Sequence, residues 1–302
     1  MSTSAREVRI AAFAKINLRL DVLGKRADGY HELRTIFQTV SLHDDLRLRA
    51  GGKRGIALNI RGNEGLSREP VERNLVYRAV AALQKELKLR GGVEIELHKR
   101  IPSGGGLGGG SSDAAAALVG YLRLTGRRVP LERLVELGAG LGADVPFFLL
   151  GGRALGVGKG DEIYPLPELP RRTVVIVAPR DVRVPTVEAY KWVGAPALTK
   201  TGIPPKLWRF CALSWSAQGS GLGNDFEGPV FRRYPRLEKI KKGLLRDGAA
   251  EALLAGSGSA VFGIFPSPAK ARRAVCGFPN DQTFVCETLS RERYLRLMKR
   301  PV

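Results

Sequence analysis

Cysteine is scarce: Cys211, Cys276 and Cys286 in 302 residues have neither the number nor the paired spacing of a disulfide framework or a zinc site. A reducing compartment, in its ordinary form the cytoplasm, is therefore expected. Long apolar runs are missing too, since no stretch reaches the ~18 consecutive apolar residues of a membrane-spanning helix. The amino terminus, MSTSAREVRIAAFAKINL, lacks an apolar segment followed by a small-residue cleavage site, so neither export nor membrane insertion is expected. No G-x-x-x-x-G-K-[ST], H-E-x-x-H or G-x-S-x-G occurs, which excludes a Walker phosphate loop, a zinc-protease helix and a serine-hydrolase elbow. Lys159 fails as a Walker lysine because Gly160 follows it. Acidic residues are outnumbered, 29 against 49 Lys and Arg, for a net charge of +20. That balance suits a polyanionic partner, either nucleic acid or a phosphorylated metabolite. The basic residues run the length of the chain, which reads as solvated surface. Aromatics, at 7%, are too few for the stacking strands of an RNA-binding sheet, so no nucleic-acid partner is expected.

With 44% apolar residues the chain can bury a sizeable core, and its length exceeds what one core usually serves, so two domains are expected. Alternation in Val8–Ile10 and Leu18–Val22, then in Leu46–Leu48 and Ile56–Ile60, predicts a β meander of short strands. A helical period follows from Leu75 to Leu87, with Asn74 as N-cap. Val93–Leu97 reads as a strand, Ile101–Asp113 as a glycine loop and Ala114–Leu124 as a helix. A short helix is expected at Leu131–Leu137. The proline cluster Tyr164–Pro170 marks a boundary, giving domains 1–167 and 168–302. Beyond it Val174–Val177 and Ala260–Phe265 are buried-strand candidates, with helices at Pro235–Leu245 and Leu289–Met298. Both halves are α+β.

Six of the seven residues from Gly104 to Gly110 are glycine. Such a loop can turn its N–H groups toward one point, and opening into a helix adds the positive end of the helix dipole, which suits the phosphates of a nucleotide. Ser111 and Ser112 add hydroxyls within reach of phosphate or a magnesium ion. Gly104, Gly106 and Gly109 formally satisfy G-x-G-x-x-G, but the acidic residue that a dinucleotide fold needs at the next strand end is absent, Glu132 opening a predicted helix instead. Two further features fit phosphoryl transfer. Ala14-Lys15-Ile16-Asn17-Leu18 puts an ammonium and an amide into an apolar strand, and Asp144 stands before Val145-Pro146-Phe147-Phe148. Each is an unfavourable burial unless paired, and together they can satisfy one another. A carboxylate that accepts a hydroxyl proton beside an ammonium that offsets charge is what transfer to an alcohol requires. Ala255-Gly256-Ser257-Gly258-Ser259-Ala260 is either a tight turn or a second source of backbone donors.

These residues carry a family likeness. Pro102–Ala116, with Ala14–Leu18 and Ala255–Phe262, resembles the three motifs of the GHMP kinases, which bind ATP through the central glycine loop. Gly24–Leu33, Gly108–Ala115 and Leu141–Phe148 resemble in particular the members that phosphorylate a hydroxyl of a diphosphocytidyl polyol. The resemblance implies an α+β fold of two domains, the first like a ribosomal-protein domain and the second ferredoxin-like. It implies ATP and Mg2+ as cofactors and a small-molecule substrate, and it names no protein ligand for the metal. Asp144 would be the general base and Lys15 its electrostatic partner. Asn74 would lie near the adenine, with Pro102, Ser103, Gly104, Gly105, Gly106, Leu107, Gly108, Gly109, Gly110, Ser111 and Ser112 around the phosphates. Asn17, Tyr30 and His31 would line the cytidine and polyol side, Tyr190 would stack on the base, and Gly256, Ser257 and Gly258 would approach the substrate phosphates. Phe13 stands where the family commonly has proline and Gly105 where alanine is usual. Segment 194–222, with Trp208, Cys211 and Trp215, matches no family pattern. Mevalonate and homoserine kinases are the neighbouring reading, but their acceptors offer no base for Tyr30 and His31 to read. The oligomeric state is not legible.

Overall fold

The computed structural model describes residues 7–51, 54–195 and 221–299, so most of the unassigned segment 194–222 lies outside the described residues. Where separate short strands are expected, the chain opens with two long ones, β1 (Glu7–Lys25) and β2 (His31–Gly51), paired antiparallel over most of their length. The stretch Ile10–Leu18 is buried on both faces, and that removes the alternation from which a strand is read. Register shifts between Phe13 and Lys15 and between Asn17 and Arg19 further break the period of two. The first half of β2 also pairs with β5 (Arg153–Gly158), itself joined to β6 (Glu162–Pro165). The second half pairs with β4 (Gly92–His98), which carries β3 (Ile56–Arg61) parallel on its far side.

Four helices cover one face of this sheet: α2 (Leu75–Glu86), α3 (Gly109–Thr125), α4 (Leu131–Leu141) and α5 (Val145–Leu150); α1 (Glu64–Ser67) is a single turn. The core between them joins Ile10, Leu46, Leu48, Ile95 and Leu97 to Val80, Leu83, Leu118 and Phe147. Small side chains, Ala114–Ala117, let α3 lie close to β1. This helix starts at Gly109, inside the glycine run rather than at Ala114, because its first turn approaches Ile101 too closely for larger residues: a Cβ at Gly109 would lie 3.0 Å from the Ile101 side chain.

The second layer contains β7 (Thr173–Ala178), α6 (Thr186–Val193), β8 (Gly223–Asn224), α7 (Glu227–Arg233), α8 (Pro235–Arg246), β9 (Glu251–Leu254), β10 (Val261–Phe265), α9 (Pro268–Ala274) and β11 (Gln282–Glu287). Its sheet runs β11-β7-β10-β9, all antiparallel, with α8 and α9 in the two crossovers, which is the ferredoxin-like order. Val175 and Val177 face these helices, while Val174 and Ile176 face Ile16, Leu18 and Ile36 of the first sheet. The uninterrupted Val-Val-Ile-Val run reflects this burial on both sides.

The proline cluster falls between the two sheets, yet the chain beyond it does not stay in the second layer. Asn224 of β8 pairs with Leu20 of β1. The helix α10 (Arg291–Lys299) returns to the first core, where Leu289, Tyr294 and Met298 are buried and Tyr294 Oη donates to Phe148 O. No helix among the described residues is long and apolar enough to cross a membrane.

Candidate active site

Lys15 is central. Its backbone N–H donates to Leu107 O at 3.0 Å, and its side chain, only 5% exposed, donates from Nζ to Asn17 Oδ1 and Gly106 O, both at 2.8 Å. The carboxylate of Asp144 lies 3.6 Å away and is 31% exposed. Burial lowers the Lys15 pKa from its ordinary value, and the negative charge of Asp144 works against that shift. The two residues expected to satisfy one another do so, although they come from β1 and from the turn before α5. Asp144 occupies the N-cap position of α5, but its side chain makes no capping hydrogen bond and is left for other chemistry.

Two cavities adjoin near this pair, which lines the smaller of them. One, of about 410 Å³, is lined by Asn74 and by the loop from Pro102 to Ser111. The other, of about 220 Å³, is lined by Lys15, Asn17, Asp144, Tyr190, Gly256 and Ser257 among others. Gly106 and Gly108 belong to both walls. Gly104, Gly106 and Gly108 all have positive φ, +73°, +76° and +71°, which alternates the backbone and turns its N–H groups inward. Gly106 also has no room for a side chain, since a Cβ there would lie 1.9 Å from Ala255 O. The N–H groups of Gly109, Gly110 and Ser111 precede the first bond of α3, Ser112 N–H to Gly108 O at 2.9 Å, and have no partner within the helix. This cradle of amides fits the phosphates of a nucleotide.

The second glycine segment is more than a turn. Ser259 N–H donates to Gly104 O at 3.1 Å and Ala260 N–H to Gly105 O at 3.2 Å, so the two loops are tied backbone to backbone. Asn224 donates from Nδ2 to Leu254 O and Gly256 O at 2.9 and 2.7 Å. Thr186 Oγ1 shares a 3.1 Å hydrogen bond with Ser257 Oγ.

Several expected ligands are placed differently. Ser112 turns inward: its Oγ donates to Phe13 O at 2.7 Å and its N–H is spent on Gly108 O, so it braces the loop without facing the cavity. Gly258 is buried, with its N–H on Ala255 O, and lies outside the lining of the smaller cavity. Asn74 Oδ1 caps α2 at Val76 N–H, 2.9 Å, which leaves only its amide nitrogen for a base. Asn17 lines the cavity, but its oxygen takes Lys15 and its nitrogen donates to Thr35 Oγ1 at 2.7 Å, so it orients the lysine. Ser103 Oγ accepts from Asn63 Nδ2 at 2.9 Å.

Tyr30 and His31, expected as ligands, are not part of the smaller cavity's lining, and Tyr30 is 59% exposed. The His31 ring stacks on Tyr190, centroids 4.8 Å apart at 23°, and Phe226 meets Tyr190 edge-on at 4.9 Å. Burial, and then the negative charge of Asp144, raise the Tyr190 pKa, so its hydroxyl stays protonated. Burial and the nearby Lys25 lower the His31 pKa from 6.5, so at neutral pH the ring is uncharged. Lys159, of interest in the sequence only as a failed Walker lysine, lines the smaller cavity with Nζ 4.8 Å from the Tyr30 ring centroid. No spacing signal could reveal it, because β5 brings it there from across the sheet.

Comparison with known proteins agrees with this geometry. The GHMP kinases N terminal domain matches residues 74–152 and the GHMP kinases C terminal domain residues 208–281, so the later part of segment 194–222, expected to match no family pattern, lies within the match. A 4-diphosphocytidyl-2-C-methyl-D-erythritol kinase from Solibacter usitatus is 43% identical over 304 residues, covering 99% of this chain and 94% of that protein. A crystal structure of 4-(cytidine 5'-diphospho)-2C-methyl-D-erythritol kinase superposes with a TM-score of 0.75 at 37% identity, covering 93% of this chain and 98% of the other. The mevalonate kinase of L. major, in complex with R-mevalonate, shares the fold alone, at 17% identity and a TM-score of 0.69 over 95% of this chain and 98% of its own.

Proposed function

The chain belongs to the GHMP kinases, with relatives named for a cytidyl polyol, and from that premise we propose that it transfers the γ-phosphoryl group of ATP to the 2-hydroxyl of 4-diphosphocytidyl-2-C-methyl-D-erythritol, a step of the non-mevalonate route to isoprenoids. The observation that carries this reading is the Lys15 and Asp144 pair in the smaller cavity, with Lys15 bonded to Gly106 of the wall that this cavity shares with the amide-floored larger one.

When bound, ATP supplies the phosphoryl group and Mg2+ offsets its charge. Ser111, which lines the larger cavity beside the loop, would offer the metal a protein oxygen. Asp144 accepts the proton of the 2-hydroxyl on its carboxylate. Lys15 keeps two of its three N–H donors on Asn17 and Gly106 and holds its charge beside the oxygen that Asp144 activates. Gly106, Gly108 and the first turn of α3 fix the phosphates, so positioning and charge neutralisation dominate the rate.

Offered 4-diphosphocytidyl-2-C-methyl-D-erythritol, mevalonate and homoserine in parallel with labelled ATP and magnesium, the protein should phosphorylate the cytidyl compound alone. Turnover of mevalonate or homoserine in its place, or of none of the three, overturns the assignment. His31 already covers one face of Tyr190 at stacking distance, so that face accepts a flat ring, and cytosine would take the place of the His31 ring. Tyr190→Ala should raise KM for the cytidyl substrate about ten- to a hundredfold, the usual worth of one base on one aromatic ring, with KM for ATP unchanged. Steady-state kinetics in each substrate checks the split.

A further inference from the structure

One buried charge cluster has no part in this mechanism. Lys99 follows β4 directly, just before the glycine loop, Asp113 lies near the start of α3, just after it, and Asp44 sits in β2. Their side chains are 4%, 4% and 0% exposed. Lys99 Nζ donates to Asp113 Oδ2 at 2.6 Å and to Asp44 Oδ2. Asp44 Oδ1 in turn accepts the N–H groups of Arg100 and of Ile101, the latter at 2.8 Å, where the chain turns into the loop. A Cβ at Gly109 would lie 3.3 Å from the Lys99 ammonium, so that charge sits against the first residue of α3. Lys99 and Asp113 both border the larger cavity.

A buried ion trio is seldom the most stable filling for such a space, because well-packed apolar side chains avoid the cost of desolvating charges. Its placement supplies the missing reason. One ammonium joins the residue before the loop to a residue after it, and the carboxylate of Asp44 ties both to the sheet. A glycine-rich segment has more backbone freedom to lose than any other, so closing it at its feet reduces the ordering that a ligand must impose. We propose that Lys99, Asp44 and Asp113 form a clasp that holds the feet of the loop at the spacing the ATP phosphates require. They are positioning residues that set nucleotide affinity and leave the acceptor site alone. The inference rests on the assignment of this loop to ATP.

The test uses the full chain. ADP affinity is measured by calorimetry, and kcat and both KM values by steady-state kinetics, with melting temperature on the same samples. Asp113→Ala should weaken ADP binding and raise KM for ATP about tenfold, with KM for the cytidyl substrate unchanged. Asp113→Asn, which still offers an oxygen to Lys99 Nζ, should recover to within about threefold of wild type. The double variant Lys99→Met/Asp113→Leu leaves Asp44 its two backbone donors but takes away its counter-ion, so its melting temperature should fall, and where the melting curve shows a folded chain it should bind ADP about tenfold more weakly. If the folded double variant binds ADP as wild type does, or if both KM values rise alike in Asp113→Ala, the clasp is only structural. A wild-type chain that binds no ADP removes the nucleotide assignment, and the clasp with it.

Discussion

Asp144→Asn should lower kcat roughly 10²- to 10⁴-fold, the range that a positioned general base contributes, while KM for ATP stays near wild type. The asparagine fills the same space and can still hydrogen-bond, but it cannot take the proton of the acceptor hydroxyl. Nothing in the fold depends on this carboxylate as a cap, because its side chain makes no hydrogen bond to the first turn of α5. Lys15 keeps Asn17 Oδ1 and Gly106 O, so the loop keeps its anchor. The substitution does remove the charge that opposes the burial shift of Lys15. With the folded pKa of Lys15 below its unfolded value, the unfolded chain binds more protons at this site, and its contribution to stability rises with pH between the two values. That window widens in the variant, so the deficit in its melting temperature should shrink as the pH is raised through the alkaline range. Single-turnover rates and melting curves from pH 7 upward check both statements. Most of the turnover surviving would mean that Asp144 is not the base.

Gly106→Ala should abolish measurable nucleotide binding and turnover. The added methyl would lie 1.9 Å from Ala255 O and 2.8 Å from Ala255 C, both backbone atoms, so neither can swing aside as a flexible side chain would. Relief requires the two glycine segments to part, which breaks the hydrogen bonds from Ser259 and Ala260 N–H to Gly104 and Gly105 O and moves the carbonyl that Lys15 holds. Gly104→Ala isolates the other component. Gly104 has nearly the same φ, +73° against +76°, but a Cβ there meets nothing within 4 Å. It should cost only the left-handed backbone penalty, about 1–2 kcal/mol, and keep most of its activity. Equal damage from the two substitutions would show that conformation alone, and not the contact between loops, governs the site.

Local signals in the sequence reached the chemistry further than the architecture. Lys15 and Asp144 stood out because each is a charge in an apolar setting, and the structure pairs them. The glycine run announced an amide cradle because no other residue type permits three left-handed positions in five. The Asn74 cap and the β7 and β10 strands were legible from period and punctuation. The long strands were not: a segment buried on both faces loses its alternation, so β1 read as separate short pieces, with the apolar stretch around Lys15 not joined to Val8–Ile10. Non-local placement was equally hidden. Nothing near Ser112 says that its hydroxyl points back to Phe13, and nothing near Lys99 says that Asp44 lies opposite it in the next strand. Nothing in Asn224-Asp225-Phe226-Glu227 itself says that it holds the second glycine loop and places Phe226 against Tyr190, which takes both layers together.

The return of α10 to the first core bears on how the protein comes into being. Phe13 and the residues around Gly151 leave a hollow that the Tyr294 ring fills, and a Cβ on Gly151 would stand 2.1 Å from that ring. On the ribosome, the strand that carries Lys15, the phosphate loop and the helix that follows Asp144 are all made long before this tyrosine emerges. Until it does, the first layer has an open hollow, and the Phe148 carbonyl lacks its Tyr294 donor. The nascent chain therefore carries Lys15 and Asp144 early, and the core beneath them closes only when the chain has reached its final helix.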